Sequence, residues 1–384
     1  MSTNPPTGSP ASAPPPGAAP QPFHDLRASF AAQREAILAA VTRVLDGGWY
    51  ILGQQVAAFE REFAAFCGAK HAIGIGNATE ALQVALLGLD IGPGDDVIVP
   101  ALTAAPTGMA VAAVGARPVF ADVDAATFTV TAATVARAWT PRTRVVIPVH
   151  LYGQCADMGP LLELARQRGV PLLEDCAQCQ GAKDHGRPAG TMGSAAAWSF
   201  YPTKNLGAFG DGGALTTEDG GLAARLARLR NYGAIGGYDF AECGLNARLD
   251  EMHAAILRVK LETLAANNEK RRATAARYRR EIVNPRITLP LERPGAWHVW
   301  HQFVVRCRER DRLQAWLAER GIETLIHYPR ALHQMQAFVA RGHAPVEPIE
   351  AARAAAEILS LPIYPEVPAD HVTRVIAAVN AFPG

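Results

Sequence analysis

Val170-Pro171-Leu172-Leu173-Glu174-Asp175 is a short apolar run that stops on two carboxylates. With no polar residue alternating through it, it predicts a strand covered on both faces, the pattern of a parallel sheet between layers of helix. Similar runs recur upstream at His71–Gly76, Asp96–Pro100, Pro118–Val123 and Arg144–Val149. Helical spacing returns between them, near Thr79–Leu87, Thr107–Val114, Ala133–Ala138 and Gly159–Arg168. Strands alternating with helices build an α/β domain. Downstream, Ala195–Phe200 and Gly213–Thr217 lie closer together and read as an antiparallel addition. The sum is a mostly parallel sheet of about seven strands.

The flanks complete the organisation. Leu26, Phe30, Ile37, Leu38, Val41 and Val44 keep helical spacing up to Gly47-Gly48, and Val56, Phe59 and Phe63 do so within a helix from Gln54 to Phe66. After Arg248 a long helix, Asp250 to about Glu281, leads away from the sheet. Beyond it His301–Arg306 and Glu323–His327 read as strands, and Arg310–Arg320, Ala351–Leu359 and Ala369–Phe382 as helices. Three segments result: residues 1–22 as a disordered Pro/Ala-rich tail, 23–250 as a large α/β domain, and 251–384 as a smaller α+β domain.

Composition narrows the function. The 384 residues are 49% hydrophobic and 19% charged, with a net charge of +1. That balance describes a globular protein and gives no electrostatic reason for a nucleic acid or an acidic membrane as partner. No run approaches the roughly 18 apolar residues of a membrane span. The stretch before Arg27 lacks the pattern of an export signal, so a cytoplasmic protein is expected. The six cysteines are scattered through the chain, which suits a reduced compartment. Any phosphate-bearing ligand must therefore meet a site built locally.

Three features carry chemistry. Gly74-Ile75-Gly76-Asn77-Ala78-Thr79 follows a strand and opens a helix, where backbone N–H groups and the helix dipole favour a phosphate. The same residues suit a tight turn with Asn77 or Thr79 as N-cap. Glu174-Asp175 ends a strand, where ligands of parallel sheets bind; a carboxylate there can pair with a protonated ring nitrogen, or serve as a cap or ion pair. Ser199-Phe200-Tyr201-Pro202-Thr203-Lys204-Asn205-Leu206-Gly207 places a lysine just past another strand. Most lysines lie at the surface, but a desolvated one becomes a nucleophilic amine that forms a Schiff base. Together the three supply what pyridoxal 5′-phosphate (PLP) requires.

With these features in that order, the chain resembles the DegT-type sugar aminotransferases from about Phe23 to its end. The resemblance rests on Tyr50-Ile51-Leu52-Gly53, Phe59-Glu60, Gly92-Pro93-Gly94-Asp95 and Pro148-Val149-His150-Leu151-Tyr152-Gly153-Gln154. It continues through Glu174-Asp175-Cys176-Ala177-Gln178, Ser199 to Asn205, Gly210-Asp211-Gly212-Gly213 and Asn246-Ala247-Arg248-Leu249-Asp250-Glu251. It implies an aspartate-aminotransferase-like fold (type I). By the same resemblance Lys204 carries the cofactor and moves the substrate proton, and Asp175 keeps the pyridine nitrogen protonated. Gln178 lies on the hydroxyl side of PLP, and Ser199 with the Ala78–Thr79 backbone holds the phosphate. Asn246 reaches the cofactor of a neighbouring subunit, making a homodimer with shared active sites. His327, Tyr328 and His333 approach the sugar, although histidines at such positions are also ordinary surface or packing residues. The implied reaction is ping-pong transfer from an amino donor, glutamate, to a nucleotide-linked keto sugar. The form of the loop at His150–Gln154 leans toward a 3-keto-6-deoxyhexose over a C4-keto sugar.

Two departures stand out. Where many relatives carry an aromatic ring to stack on PLP, this chain has Thr103-Ala104-Ala105-Pro106. Cys176-Ala177-Gln178-Cys179 spells a CxxC, which could mark a redox pair or half a zinc site. With no second such pair, the two thiols read as small packing residues and no metal is expected. Three rival functions are weighed: a dehydrase of the same fold, in which His replaces the lysine and against which Lys204 argues; a PLP-bound regulator without turnover, against which the intact Lys204, Asp175 and Gln178 set argues; and a nicotinamide oxidoreductase using the Gly74–Thr79 turn with Asp95 or Asp96.

Overall fold

Seven strands form the framework: β1 (His71–Ile75), β2 (Asp96–Pro100), β3 (Arg117–Ala121), β4 (Thr143–Val146), β5 (Leu173–Asp175), β6 (Ala195–Ser199) and β7 (Gly213–Thr217). In the computed structural model, which describes residues 21–340 and 343–383, their order is β1-β7-β6-β5-β4-β2-β3. The two halves of this sheet meet through parallel bridges, Val146 with Leu172 and Val149 with Asp175. β7 alone runs against its neighbours β1 and β6, whereas β6 is parallel to β5. Every residue of β2, β6 and β7 is buried, which is why these strands lack polar alternation.

Helices cover both faces. α1 (Gln54–Cys67) packs Phe59 and Phe63 edge-on against Phe200, and Phe63 against Trp198. The start of α1 is capped from a distance. Glu251, at the N-terminus of the long helix α5 (Glu251–Glu281), accepts N–H bonds from Gly53, Gln55 and Val56 at 2.8–2.9 Å. One carboxylate thus satisfies three orphan donors of another helix. Between them in the chain come α2 (Ala78–Gly88), α3 (Ala105–Ala113) and α4 (Gly220–Leu229).

The long helix α5 spans two cores. Ala254, Leu257 and Leu264 belong to the core beside the sheet, while Ala275 and Tyr278 join Phe303, Val305, Leu313, Leu359 and Val375 in a second one. The C-terminal region is not wholly separate, since Leu332, Phe338 and Ala354 pack into the sheet's own core. Among the described residues no helix is long and apolar enough to cross a membrane.

Some expected elements differ. The first helix is two, Leu26–Ala31 and Arg34–Gly47. Glu323–His327 forms no strand and makes one bridge, Leu325 with Ser360. The helix expected at Ala351–Leu359 runs Ile349–Glu357 and passes directly into a strand, Ile358–Leu361, paired antiparallel with Phe303–Arg306. The tail expected to reach residue 22 lies, up to residue 20, outside the described residues. Gln21 is already in the fold, buried and bridged to Ile322.

Candidate active site

The turn after β1 and the carboxyl ends of β5 and β6 open into one cavity of about 580 Å³, whose lining includes Ala78, Thr79, Asp175, Ser199 and Lys204. Asn77 caps α2, its side chain accepting the Glu80 N–H at 2.9 Å, which leaves the Ala78–Thr79 backbone at the cavity edge. The fit there is tight. A Cβ on Gly213 would stand 2.7 Å from the Asn77 carbonyl carbon and 2.9 Å from its oxygen, so only glycine lets β7 pass this turn.

Asp175 is 4% exposed. Its Oδ2 accepts the Thr107 hydroxyl at 2.8 Å and its Oδ1 the Ala177 N–H at 3.1 Å. Burial pushes its carboxyl above the usual range, opposed by those two donors and by Lys204 and His150 nearby. Lys204 stands in the turn after β6, its N–H bonded to Tyr201 O at 2.8 Å. Burial lowers its amine to about 8, and Asp175 partly opposes the drop. The neutral amine is therefore far more accessible than for an ordinary lysine. The Ser199 hydroxyl accepts the Tyr201 N–H at 3.3 Å.

Gln178 links the large domain to the C-terminal segment. Its Oε1 accepts the Tyr152 N–H at 2.8 Å and its Nε2 donates to the Tyr328 hydroxyl at 3.0 Å. The Tyr152 hydroxyl donates to His327 O, and the His327 ring lies 2.8 Å from Ser360 Oγ. Tyr152 itself adopts a left-handed backbone, φ 60°, of the kind stored at functional sites. Burial lowers His327 to about 4 and lifts Tyr328 to about 12, so both are neutral near pH 7.

Five predicted residues are not in the cavity lining: Gln178, His327 and Tyr328, which form the link just described, and Asn246 and His333. Asn246 is exposed and bridges Asn231. His333 is half-buried, its Nδ1 without a partner among the described residues, in the field of Glu347 and Asp122. Residues that the sequence reading missed include Thr107, Tyr201, Glu80 and Asp211, all in the lining. Tyr152 and His301 were also missed: His301 Nδ1 lies 3.2 Å from Asn205 Oδ1, and its proton affinity is depressed first by burial, then by Lys204. The segment lacking a stacking ring presents Ala104 and Pro106 to the cavity. Cys176 and Cys179 are fully buried with their thiols pushed up by burial, the state of unreactive packing cysteines.

Chemically, the arrangement offers a poised amine, a buried carboxylate with one lone pair per oxygen still free, and N–H groups at a helix start. That donor set suits a ligand carrying a carbonyl carbon, a basic ring nitrogen and a phosphate.

Comparison with known proteins agrees with that chemistry. Residues 31–380 match the DegT/DnrJ/EryC1/StrS aminotransferase family. The chain is 47% identical over 364 residues to the dTDP-3-amino-3,4,6-trideoxy-alpha-D-glucose transaminase of Streptomyces venezuelae, covering 94% of this chain and 96% of that one. It is 45% identical over 361 residues to the erythromycin biosynthesis sensory transduction protein EryC1 of Saccharopolyspora erythraea, covering 94% and 99%. Among solved structures it is similar to S. venezuelae DesV in complex with a ketimine intermediate, with a TM-score of 0.92, 46% identity and coverage of 94% and 98%.

Proposed function

The chain belongs to the DegT/DnrJ/EryC1/StrS aminotransferase family, and from that premise we propose that it uses PLP at Lys204 to move an amino group from glutamate to a nucleotide-linked 3-keto-6-deoxyhexose. The observation that carries this reading is the convergence of Lys204 and Asp175 with the start of α2 on one cavity. The regiochemistry draws on the Streptomyces relative, a 3-amino sugar transaminase. Bound there, PLP supplies the electron sink for breaking bonds at the amino-bearing carbon.

The protein's own residues divide the remaining work. Lys204 Nζ captures the cofactor and afterwards carries a proton to and from the reacting carbon. Asp175 holds the proton on the ring nitrogen, and the start of α2 with Ser199 receives the phosphate. Tyr328, tethered by Gln178, and His327 face the acceptor sugar with neutral side chains. Asn246 completes the cofactor pocket of a second copy, in a homodimer with shared sites. Its exposure on one chain suits that role, as does the exposure of Tyr201, Phe209 and Tyr232.

The test begins with borohydride reduction of the PLP-loaded protein and peptide mapping, which should place the label on Lys204. Glutamate should then convert the bound cofactor to its amine form, and nucleotide-linked 3-keto sugars should return it faster than 4-keto sugars. The sensory name of the Saccharopolyspora relative raises a second reading, binding without turnover. Labelling at Lys204 with no amino transfer to any keto sugar would select that one.

A further inference from the structure

We infer that Thr107, backed by Thr103, is a positioning residue that fixes the Asp175 carboxylate for the ring nitrogen of the cofactor. The inference rests on the PLP reading above. Thr103 and Thr107 are each 1% exposed. An ionised carboxylate can only accept, so the hydroxyl proton of Thr107 is committed to Asp175 Oδ2 at 2.8 Å. The contact between Thr103 Oγ1 and Thr107 Oγ1 at 3.3 Å then has one direction, with Thr103 donating.

This short relay has a geometric result. Oδ2 is held from α3 through Thr107, and Oδ1 from the turn after β5 through the Ala177 N–H at 3.1 Å. Two donors on two separate elements fix the carboxylate plane, and each oxygen keeps a lone pair free. The Thr107 bond is also charge-assisted and out of water, the class with the largest net effect. The same segment turns only Ala104 and Pro106 toward the cavity beside Thr107. That segment therefore offers no aromatic ring beside Thr107, and the hold on Asp175 is what it contributes to the site.

Two substitutions separate hydroxyl from shape. Thr107→Val keeps the volume and loses the donor; Thr107→Ser keeps the donor and loses the methyl. The readout is the affinity of the apo-protein for PLP by equilibrium dialysis, with the kcat and KM of the glutamate half-reaction beside it. Thr107→Val should weaken PLP binding roughly ten- to a hundredfold, and Thr107→Ser should stay within a few-fold of wild type. Thr103→Val should lose affinity by a smaller, few-fold step, and it carries the test alone should Thr107→Val fail to fold. The inference is overturned if Thr107→Val binds PLP like wild type, if the serine variant is the worse of the two, or if Thr103→Val is unchanged when tested alone. A wild-type protein that binds no PLP removes the premise itself, an outcome distinct from all of these.

Discussion

The Nε2–H of His150 donates to Oε2 of Glu174 at 2.9 Å, and neither side chain has any contact with solvent. The Ala156 N–H donates to Nδ1 of the same ring at 3.2 Å. Glu174 also accepts N–H bonds from Gly190, Met192 and Gly193. Four donors hold this buried anion, the residue before Asp175 in β5.

That arrangement predicts a pH signature in stability. Burial pushes the Glu174 carboxyl up, but His150 and the backbone donors outweigh it and hold it below its ordinary 4.5. A depressed carboxyl contributes stability that is complete above its unfolded value and lost as pH falls through the folded one. Glu174→Gln should cost about 3 kcal/mol at pH 7, and the gap to wild type should narrow below about pH 4.5. Urea midpoints of the two apo-proteins across that range check the sign.

Capture of PLP by the apo-protein should speed up with pH and level off past about 8, where Lys204 loses its proton. Burial lowers that value and Asp175 raises it, so removing the anion must move it lower still. Stopped-flow absorbance should show the midpoint of Asp175→Asn below that of wild type.

Loaded at saturating PLP, the same Asp175→Asn variant should fall at least about a thousandfold in turnover, because an amide cannot hold a pyridinium charge. A near-normal rate in a full transamination assay would show that Asp175 is structural.

Tyr152→Phe removes the donor to His327 O and leaves the Tyr152 N–H bond to Gln178 in place. The acceptor-sugar KM should rise about five- to tenfold, while the glutamate half-reaction stays unchanged. Steady-state kinetics with each substrate varied in turn makes the distinction.

Asn246→Ala should weaken PLP retention without touching Lys204. Mixed with Lys204→Ala and allowed to exchange subunits, it should regain activity, because each heterodimer would hold one site with both lesions and one with neither. No recovery despite demonstrated exchange would place Asn246 in its own subunit's pocket.

The placement of Lys204 and Asp175 at the cavity was legible in the sequence because one follows and the other ends an apolar strand, and strand ends of a parallel sheet are where ligands bind. Thr107 was not, since a threonine near a helix start reads as a local cap until its partner 68 residues away is seen. Ile358–Leu361 was missed for a related reason: no glycine or proline separates that strand from the preceding helix. Asn246 is the opposite case. Motif resemblance singles it out, but its place outside the cavity of one chain leaves its role to the assembly.

The fit of Gly213 against Asn77 has a consequence for change over time. A wall built from backbone meeting backbone has no side chain to trim or enlarge, so the cavity at the start of α2 is closed to gradual variation. The segment around His327 and Tyr328, by contrast, is attached through a few side-chain bonds and continues into the exposed Pro329 and Arg330. If that segment meets the acceptor as proposed, a lineage adopting a new sugar would retool it first, and a mutant library seeking altered acceptors belongs there.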